Sequence, residues 1–356
     1  SSLLDRLTAD IDVESNTKER YITDKLSFSG SWRTDRGGVD NDGARVEQSL
    51  RHPALSLDNR FHYMRGRGPL TWDVSSDISY SDRPETLRVT PLLYDGIFGE
   101  GASASGAEQS LSSRRLTAYN RAGLTFNRNG WFVSLTLRAD AAVDMMRSEL
   151  SPLSLDGMPA QAADSMRNDI FRQEYTLALQ PSVSYRIGKR FSVSAYASLG
   201  YKGIRQEDRV RGGTAVLDRP LVSPALSMQL AVTPELRLSA SAAYDESYGG
   251  LYSDYGGYIM SNYRHISRTG GDIPRNRNQN YSLGLSYAAT HIATFAKLSG
   301  GYWRSWRSHT YGTVYDGTLT RMETVDSPAL SHGVNVAANA SKLFFAISTT
   351  VKLSAS

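Results

Sequence analysis

The sequence predicts an all-β chain folded as a transmembrane antiparallel up-and-down β-barrel, with about 14 strands visible. Three observations predict it. Apolar and polar residues alternate with a period of two over runs longer than the roughly five or six residues of an ordinary strand. The apolar face of the best runs begins or ends in an aromatic residue, as a lipid-facing band with aromatic girdles does. Short joints alternate with long ones along the whole chain, the pattern of periplasmic turns and exterior loops.

The elements follow in order. Leu3 to Val13 alternates loosely, turns near Asn16-Thr17-Lys18 and returns from Tyr21 to Trp32. Ala54 to Tyr63 turns at Gly66-Arg67-Gly68-Pro69 into Leu70 to Tyr80, where Trp72, Val74 and Ile78 share a face. Ser113 to Phe126 turns at Asn127-Arg128-Asn129-Gly130 into the cleanest strand, in which Trp131, Val133, Leu135, Leu137, Ala139, Ala141 and Val143 alternate with Ser134, Thr136, Arg138, Asp140 and Asp144. The fourth pair runs from Phe171 to Lys202 around Arg186-Ile187-Gly188-Lys189-Arg190. It places Tyr175, Leu177, Val183, Val193 and Leu199 toward lipid, and Ser182, Arg186 and Ser194 toward the lumen. Val222 to Val232 turns at Thr233-Pro234-Glu235 into Leu236 to Asp245. Tyr281 to Tyr287 turns near Thr290-His291 into Ile292 to Trp303, and Leu330 to Ala340 turns at Ser341-Lys342 into Leu343 to Leu353. Between the hairpins lie segments expected to be unstructured exterior loops, notably Ser81 to Ser112, Asp144 to Ile170 and Glu246 to Asn280.

Composition agrees with a barrel and excludes other classes. Hydrophobic residues make up 40% of the 356 residues. No stretch approaches the roughly 20 apolar residues of a spanning helix. With no Cys there is no disulfide, thiolate metal site or cysteine nucleophile. The net charge of +4 comes mostly from Arg scattered among nearly equal acid, which gives no nucleic-acid-binding patch. The 6 His have no pair at zinc-site helical spacing, so no metal or other cofactor is expected. No Gly-x-Ser-x-Gly elbow accompanies His265 or His309, and the paired glycines, such as Gly270-Gly271, lack the strand, turn and helix of a phosphate loop. An enzyme is not expected. A signal peptide is absent from the sequence, and the last strand lacks a terminal aromatic residue, so residues 1–356 are expected to be one barrel portion with strands continuing beyond Ser356.

Functional chemistry is expected in the later loops. Tyr248, Tyr252, Tyr255 and Tyr258 crowd one loop, Trp303 and Trp306 the next, with Arg264 and Arg304 interleaved. Aromatic faces and guanidinium forks suit sugars, aromatic cofactors or peptides. The alternative reading is an interfacial girdle and packing between loops. Arg138, Asp140, Arg186 and Arg237 are expected to line the lumen, against a plug, a solute or one another.

Several segments resemble the barrel of Bacteroidetes TonB-dependent receptors of the SusC-like, outer-membrane β-barrel group. They are Tyr258-Ile259-Met260-Ser261-Asn262-Tyr263-Arg264, then Asp272 to Tyr287 with its Asn280-Tyr281-Ser282-Leu283-Gly284-Leu285-Ser286-Tyr287 strand, and Phe295 to Trp306. The resemblance implies a receptor in the bacterial outer membrane that takes up a glycan, peptide or metal chelate. The partners it implies are the TonB complex, a surface lipoprotein lid, and the lipids and lipopolysaccharide around the wall. It also implies that the chain is part of a 22-stranded plugged barrel. The sequence shows no plug domain and no TonB box. A passive porin-like channel and a non-transporting adhesion or scaffold barrel are the alternatives.

Overall fold

A computed structural model describes residues 1–356 except 42, 94, 99–103, 189, 271 and 317–318; Lys189 and Gly271, named above, lie outside the described residues. The strands are β1 (Ser2–Asn16), β2 (Arg20–Asn41), β3 (Ala44–Arg51), β4 (Ala54–Arg67), β5 (Leu70–Thr90), β6 (Gly106–Arg128), β7 (Trp131–Leu153), β8 (Arg167–Ile187), β9 (Phe191–Asp208) and β10 (Gly213–Ala231). There follow β11 (Leu236–Tyr248), β12 (Ile259–Asn262), β13 (His265–Arg268), β14 (Arg275–Ala289), β15 (Thr294–Arg307), β16 (Thr310–Asp316), β17 (Leu319–Val325), β18 (Ala329–Phe344) and β19 (Thr349–Ala355).

Fifteen of these form one antiparallel sheet in sequence order from β1 to β19. β3 and β4 share one wall position: β2 pairs with β4 over Arg20–Ser31 and with β3 over Thr34–Asn41, on either side of the His52-Pro53 break. The wall therefore has fourteen positions, as the hairpin rhythm predicts. β1 and β19 are its two edges and do not pair with each other among the described residues.

The two faces differ as the alternation requires. In the central hairpin Leu179 pairs with Leu199 and Leu177 with Tyr201, so apolar residues gather on one face. That face leaves Leu137 48%, Leu177 55% and Leu199 44% exposed, a continuous apolar band that only hydrocarbon would cover. Trp131 stacks on Tyr185 at 4.2 Å near the short turns, and Tyr281 on Tyr302 at 6.1 Å toward the other end. Tyr175 and Tyr185 are ten residues apart, the length of a tilted membrane strand of about 9–11 residues. The opposite, inner face carries small polar pairs such as Ser134 with Ser182 at 2.6 Å and Ser184 with Ser194 at 2.8 Å.

The tight turns follow their chemistry. Asn129 (φ 53) and Gly130 (φ 82) take the left-handed pair that a two-residue hairpin demands. The last turn differs from expectation: Ser341 and Lys342 continue β18, and the chain reverses at Phe345–Ile347, closed by Ser348 at φ 48. The same device closes Thr290–Ile292 with Ala293 at φ 44. In both, a Thr hydroxyl bonds back to the Ile carbonyl, Thr294 to Ile292 and Thr349 to Ile347.

The exterior segments are also more ordered than expected. β5 runs to Thr90 and β6 starts at Gly106, while β7 runs to Leu153 and β8 starts at Arg167, so most of two expected loops is paired strand. Beyond the hydrocarbon both faces meet water or protein. The polar–apolar contrast fades there while backbone pairing, such as Arg83 with Ser113 and Glu85 with Leu111, continues.

Candidate functional site: the exterior mouth

The two remaining long segments fold together. The stretch after β11 supplies β12 and β13, and the stretch after β15 supplies β16 and β17, giving a four-stranded sheet in the order β12-β13-β17-β16. β13 and β17 pair in parallel, with His265 opposite Thr320. This small sheet packs onto the inner face of the wall extensions. Tyr258, Met260, Ile266 and Leu319 bury against Val46, Leu87, Val89, Ala107 and Leu150, and Leu251, Tyr255 and Ile259 against Met146 and Ile170.

A row of wall side chains pins the loop backbone. The Tyr263 amide donates to Gln48 Oε1 at 3.1 Å, and the Met260 amide to Gln109 Oε1 at 2.9 Å. Asn168 engages Gly257 twice: its Nδ2 donates to the carbonyl at 3.0 Å, and the Gly257 amide donates to Oδ1 at 2.7 Å. Gln206 Nε2 donates to the Asp254 carbonyl at 3.0 Å and carboxylate at 2.7 Å. Arg172, only 1% exposed, donates to the Gly249 carbonyl at 2.6 Å, to Gln206 Oε1 at 3.1 Å and to Glu174 at 3.3 Å. Glu174 also pairs with Lys202. Gly257 has to be glycine, because a Cβ there would stand 2.3 Å from the Arg167 carbonyl oxygen. Backbone that leaves the sheet ladder in a dry interior needs such partners, and these five side chains supply them.

The loop sheet has its own polar centre. The Tyr258 hydroxyl donates to Glu323, which also pairs with Arg268 at 3.2 Å and Arg321 at 3.9 Å. The Arg268 guanidinium lies 4.9 Å from the Tyr258 ring centre. The donated hydroxyl, followed by the two guanidiniums, holds the Glu323 carboxyl below its ordinary value. Burial pushes the Tyr258 and Tyr255 phenols up.

The residues singled out in the sequence divide among several places. Tyr255 and Tyr258 are core residues of the loop sheet, and the Tyr255 hydroxyl is engaged with Ser267 at 2.7 Å. Tyr248 is at the seam, its hydroxyl on Glu246 and its ring 5.8 Å from the Lys202 ammonium. Tyr252 is 54% exposed, and Arg264 is exposed with its guanidinium 5.0 Å from the Tyr263 ring. Trp303, Arg304 and Trp306 belong to β15, not to a loop. Trp303 sits in register with Asn280 and Gly333, and Arg304 with Gln279 and His332. The Arg277 guanidinium lies 4.9 Å from the Trp306 ring. Arg138 and Asp140 form an ion pair on the inner face, with Asp140 8% exposed. Arg186 and Arg237 line a recess with Arg190 near the short turns.

The amide row Gln48, Gln109, Asn168 and Gln206 escaped sequence reasoning, yet it leaves a signal. Each amide is two residues from a buried apolar neighbour on the same face, respectively Val46, Ala107, Ile170 and Ile204. No group of three or more His, Cys, Asp or Glu suited to a metal ion occurs among the described residues.

An antiparallel wall with an apolar outer band, a polar inner face and a loop-filled mouth is the fold of a bacterial outer-membrane β-barrel, and the outer membrane is where such a wall resides. Solved structures agree on the fold. The copper transporter OprC superposes with a TM-score of 0.57 at 12% identity, covering 96% of this chain and 58% of that one. The alcaligin outer-membrane receptor FauA from Bordetella pertussis gives 0.50 at 10% identity, covering 99% and 60%. The chain thus spans about three fifths of the length of these two structures. No protein-family model and no curated protein matches the sequence.

Proposed function

We propose that this chain is the barrel portion of a TonB-dependent outer-membrane receptor that imports a ligand such as a glycan, peptide or metal chelate. The observation that carries the reading is the loop sheet seated in the mouth. A passive porin-like channel needs an open lumen, whereas a receptor that binds before it transports gains from a structured, closable mouth. Ligand is captured on the exterior surface around Tyr252 and Arg264, where aromatic and guanidinium groups stay accessible. Trp303 extends that surface along β15, and Tyr248, Tyr255 and Tyr258 shape it from beneath, whereas Arg304 and Trp306 alternate onto the opposite face of that strand. The ligand then passes Arg138 and Asp140 toward Arg186 and Arg237. In this reading the resemblance to SusC-like receptors supplies the remaining parts: a plug, the TonB complex, a surface lipoprotein lid and a Bacteroidetes source.

A filled mouth also suits a scaffold barrel that moves nothing. Uptake of candidate ligands by cells with and without TonB separates the readings. The receptor loses uptake when TonB is removed, a passive channel keeps it, and a scaffold shows none in either strain.

A further inference from the structure

The outer face holds a concavity that the transport reading leaves unused. Where β10, β11, β14, β15 and β18 run side by side, a groove of about 500 Å³ opens over Ala240, Ala242 and Gly300 and is walled by Leu226, Leu283 and Val334. It arises because short side chains face long ones across the ladder: Ala242 pairs with Tyr281, and Leu283 with both Ala240 and Gly300. A Cβ on Gly300 would meet nothing nearer than the Asn335 carbonyl oxygen at 4.0 Å. The space is of ligand-pocket size, roughly 300–1,000 Å³. A second recess of about 480 Å³, lined by Leu285, Leu298 and Ala340, continues it toward the short turns.

The exterior end of the groove is marked by a change of chemistry. Tyr281 and Tyr302 stack there at 6.1 Å, and the Tyr302 ring lies 6.5 Å from that of His332. His332 is the cross-strand partner of Arg304, one step further out on the same face. Both are exposed, and among the described residues Arg304 joins no ion pair. A guanidinium beside an imidazole at the edge of hydrocarbon suits a phosphate, which accepts from both. The apolar groove running down from that point suits an acyl chain.

We propose that this groove is a specific lipid site: it seats an acyl chain of a diphosphorylated, multiply acylated glycolipid of the lipid A type, with its phosphate held by Arg304 and His332. The commitment to this lipid follows from polarity. The cationic end lies on the side of the long strand extensions, the exterior leaflet, and the two consecutive recesses accommodate more acyl length than one short chain fills. The site rests on the placement of the wall in the outer membrane and not on what the barrel transports.

The test uses the full-length protein, delipidated and reconstituted into phosphatidylcholine nanodiscs doped with hexa-acyl diphosphoryl lipid A or, in parallel, with phosphatidylglycerol. Native mass spectrometry reads the retained lipid, and the heat-dependent gel shift of a barrel reads the fold. Lipid A is expected to be retained, and phosphatidylglycerol not. Retention is expected to fall about tenfold or more in Arg304→Gln with His332→Gln, and again in Gly300→Val with Ala242→Val, while the gel shift persists. Equal retention of both lipids overturns the proposal, as does retention that either folded double variant leaves unchanged. Should the groove-filling pair lose the gel shift, the Arg304 and His332 pair alone decides. Loss of the gel shift in the unsubstituted protein overturns the wall placement and the lipid site with it.

Discussion

Asn168 is the residue whose removal the mouth should feel most. It is 3% exposed and makes three hydrogen bonds, one to Ser148 Oγ at 2.8 Å and two to the backbone of Gly257. Asn168→Ala leaves the Gly257 amide and carbonyl without partners in a dry interior. A lost hydrogen bond costs about 0.5–1.5 kcal/mol and an orphaned buried group about 1–3 kcal/mol. Allowing for partial entry of water, undocking of the loop becomes easier by about 2–4 kcal/mol. At roughly 1.4 kcal/mol per factor of ten, the undocked population rises about 30- to 700-fold. Backbone hydrogen exchange in nanodiscs reads this directly. Protection at Gly257, Met260 and Tyr263 should collapse while that of β7 and β8 within the membrane band stays unchanged. Asn168→Asp, which keeps the acceptor and loses the donor, should fall between. If Asn168→Ala leaves Gly257 as protected as before, the amide row does not hold the loop and the reasoning fails.

Other outcomes follow from the same geometry. Gly257→Ala should lift the loop without touching the wall, since its Cβ would meet the Arg167 carbonyl at 2.3 Å; exchange at Met260 checks it. Leu179→Arg puts a charge in the middle of the outer band and should destabilise the folded barrel by about 2–4 kcal/mol in a urea titration, while Gln180→Arg on the inner face should cost under about 1 kcal/mol. Acid should loosen the loop sheet. Glu323 is depressed in the fold, so its contribution is present above the ordinary glutamate value of 4.5 and is lost as pH falls below it. A fluorophore on Tyr315→Cys, in a chain with no other Cys, should report that loosening, and Glu323→Gln should abolish its pH dependence.

The wall was legible because hydrocarbon imposes a contrast that sequence can carry. In β7, β8 and β9 every second residue in the membrane band must be apolar, and Leu137, Leu179 and Leu199 occupy the face their parity assigns. Where that contrast ends, the reading ended too. Residues 81–90 pair as strand, but water and protein on both faces erase the period, so they read as loop. The last turn was misplaced because Ser341-Lys342 has turn composition, whereas the reversal depends on a left-handed Ser348 that no composition rule singles out. The mouth was the least legible part. β12 and β13 have four residues each, and the parallel partner of β13 is β17, over fifty residues away in the chain, beyond the reach of local periodicity. The tyrosines of that region were visible, but only the fold separates Tyr255 and Tyr258, which build the loop core, from Tyr252, which faces outward.

Within the membrane band the odd-numbered residues of β8 face lipid and the even-numbered ones a protein-lined interior. Single-cysteine scanning from Tyr175 to Tyr185 in intact outer membranes tests it most directly, because the chain has no native Cys. A period-two pattern is expected: a membrane-soluble maleimide labels positions 177, 179 and 183, and a small water-soluble thiol reagent labels 180, 182 and 184. Uniform labelling by the water-soluble reagent, or labelling without a two-residue period, would contradict it.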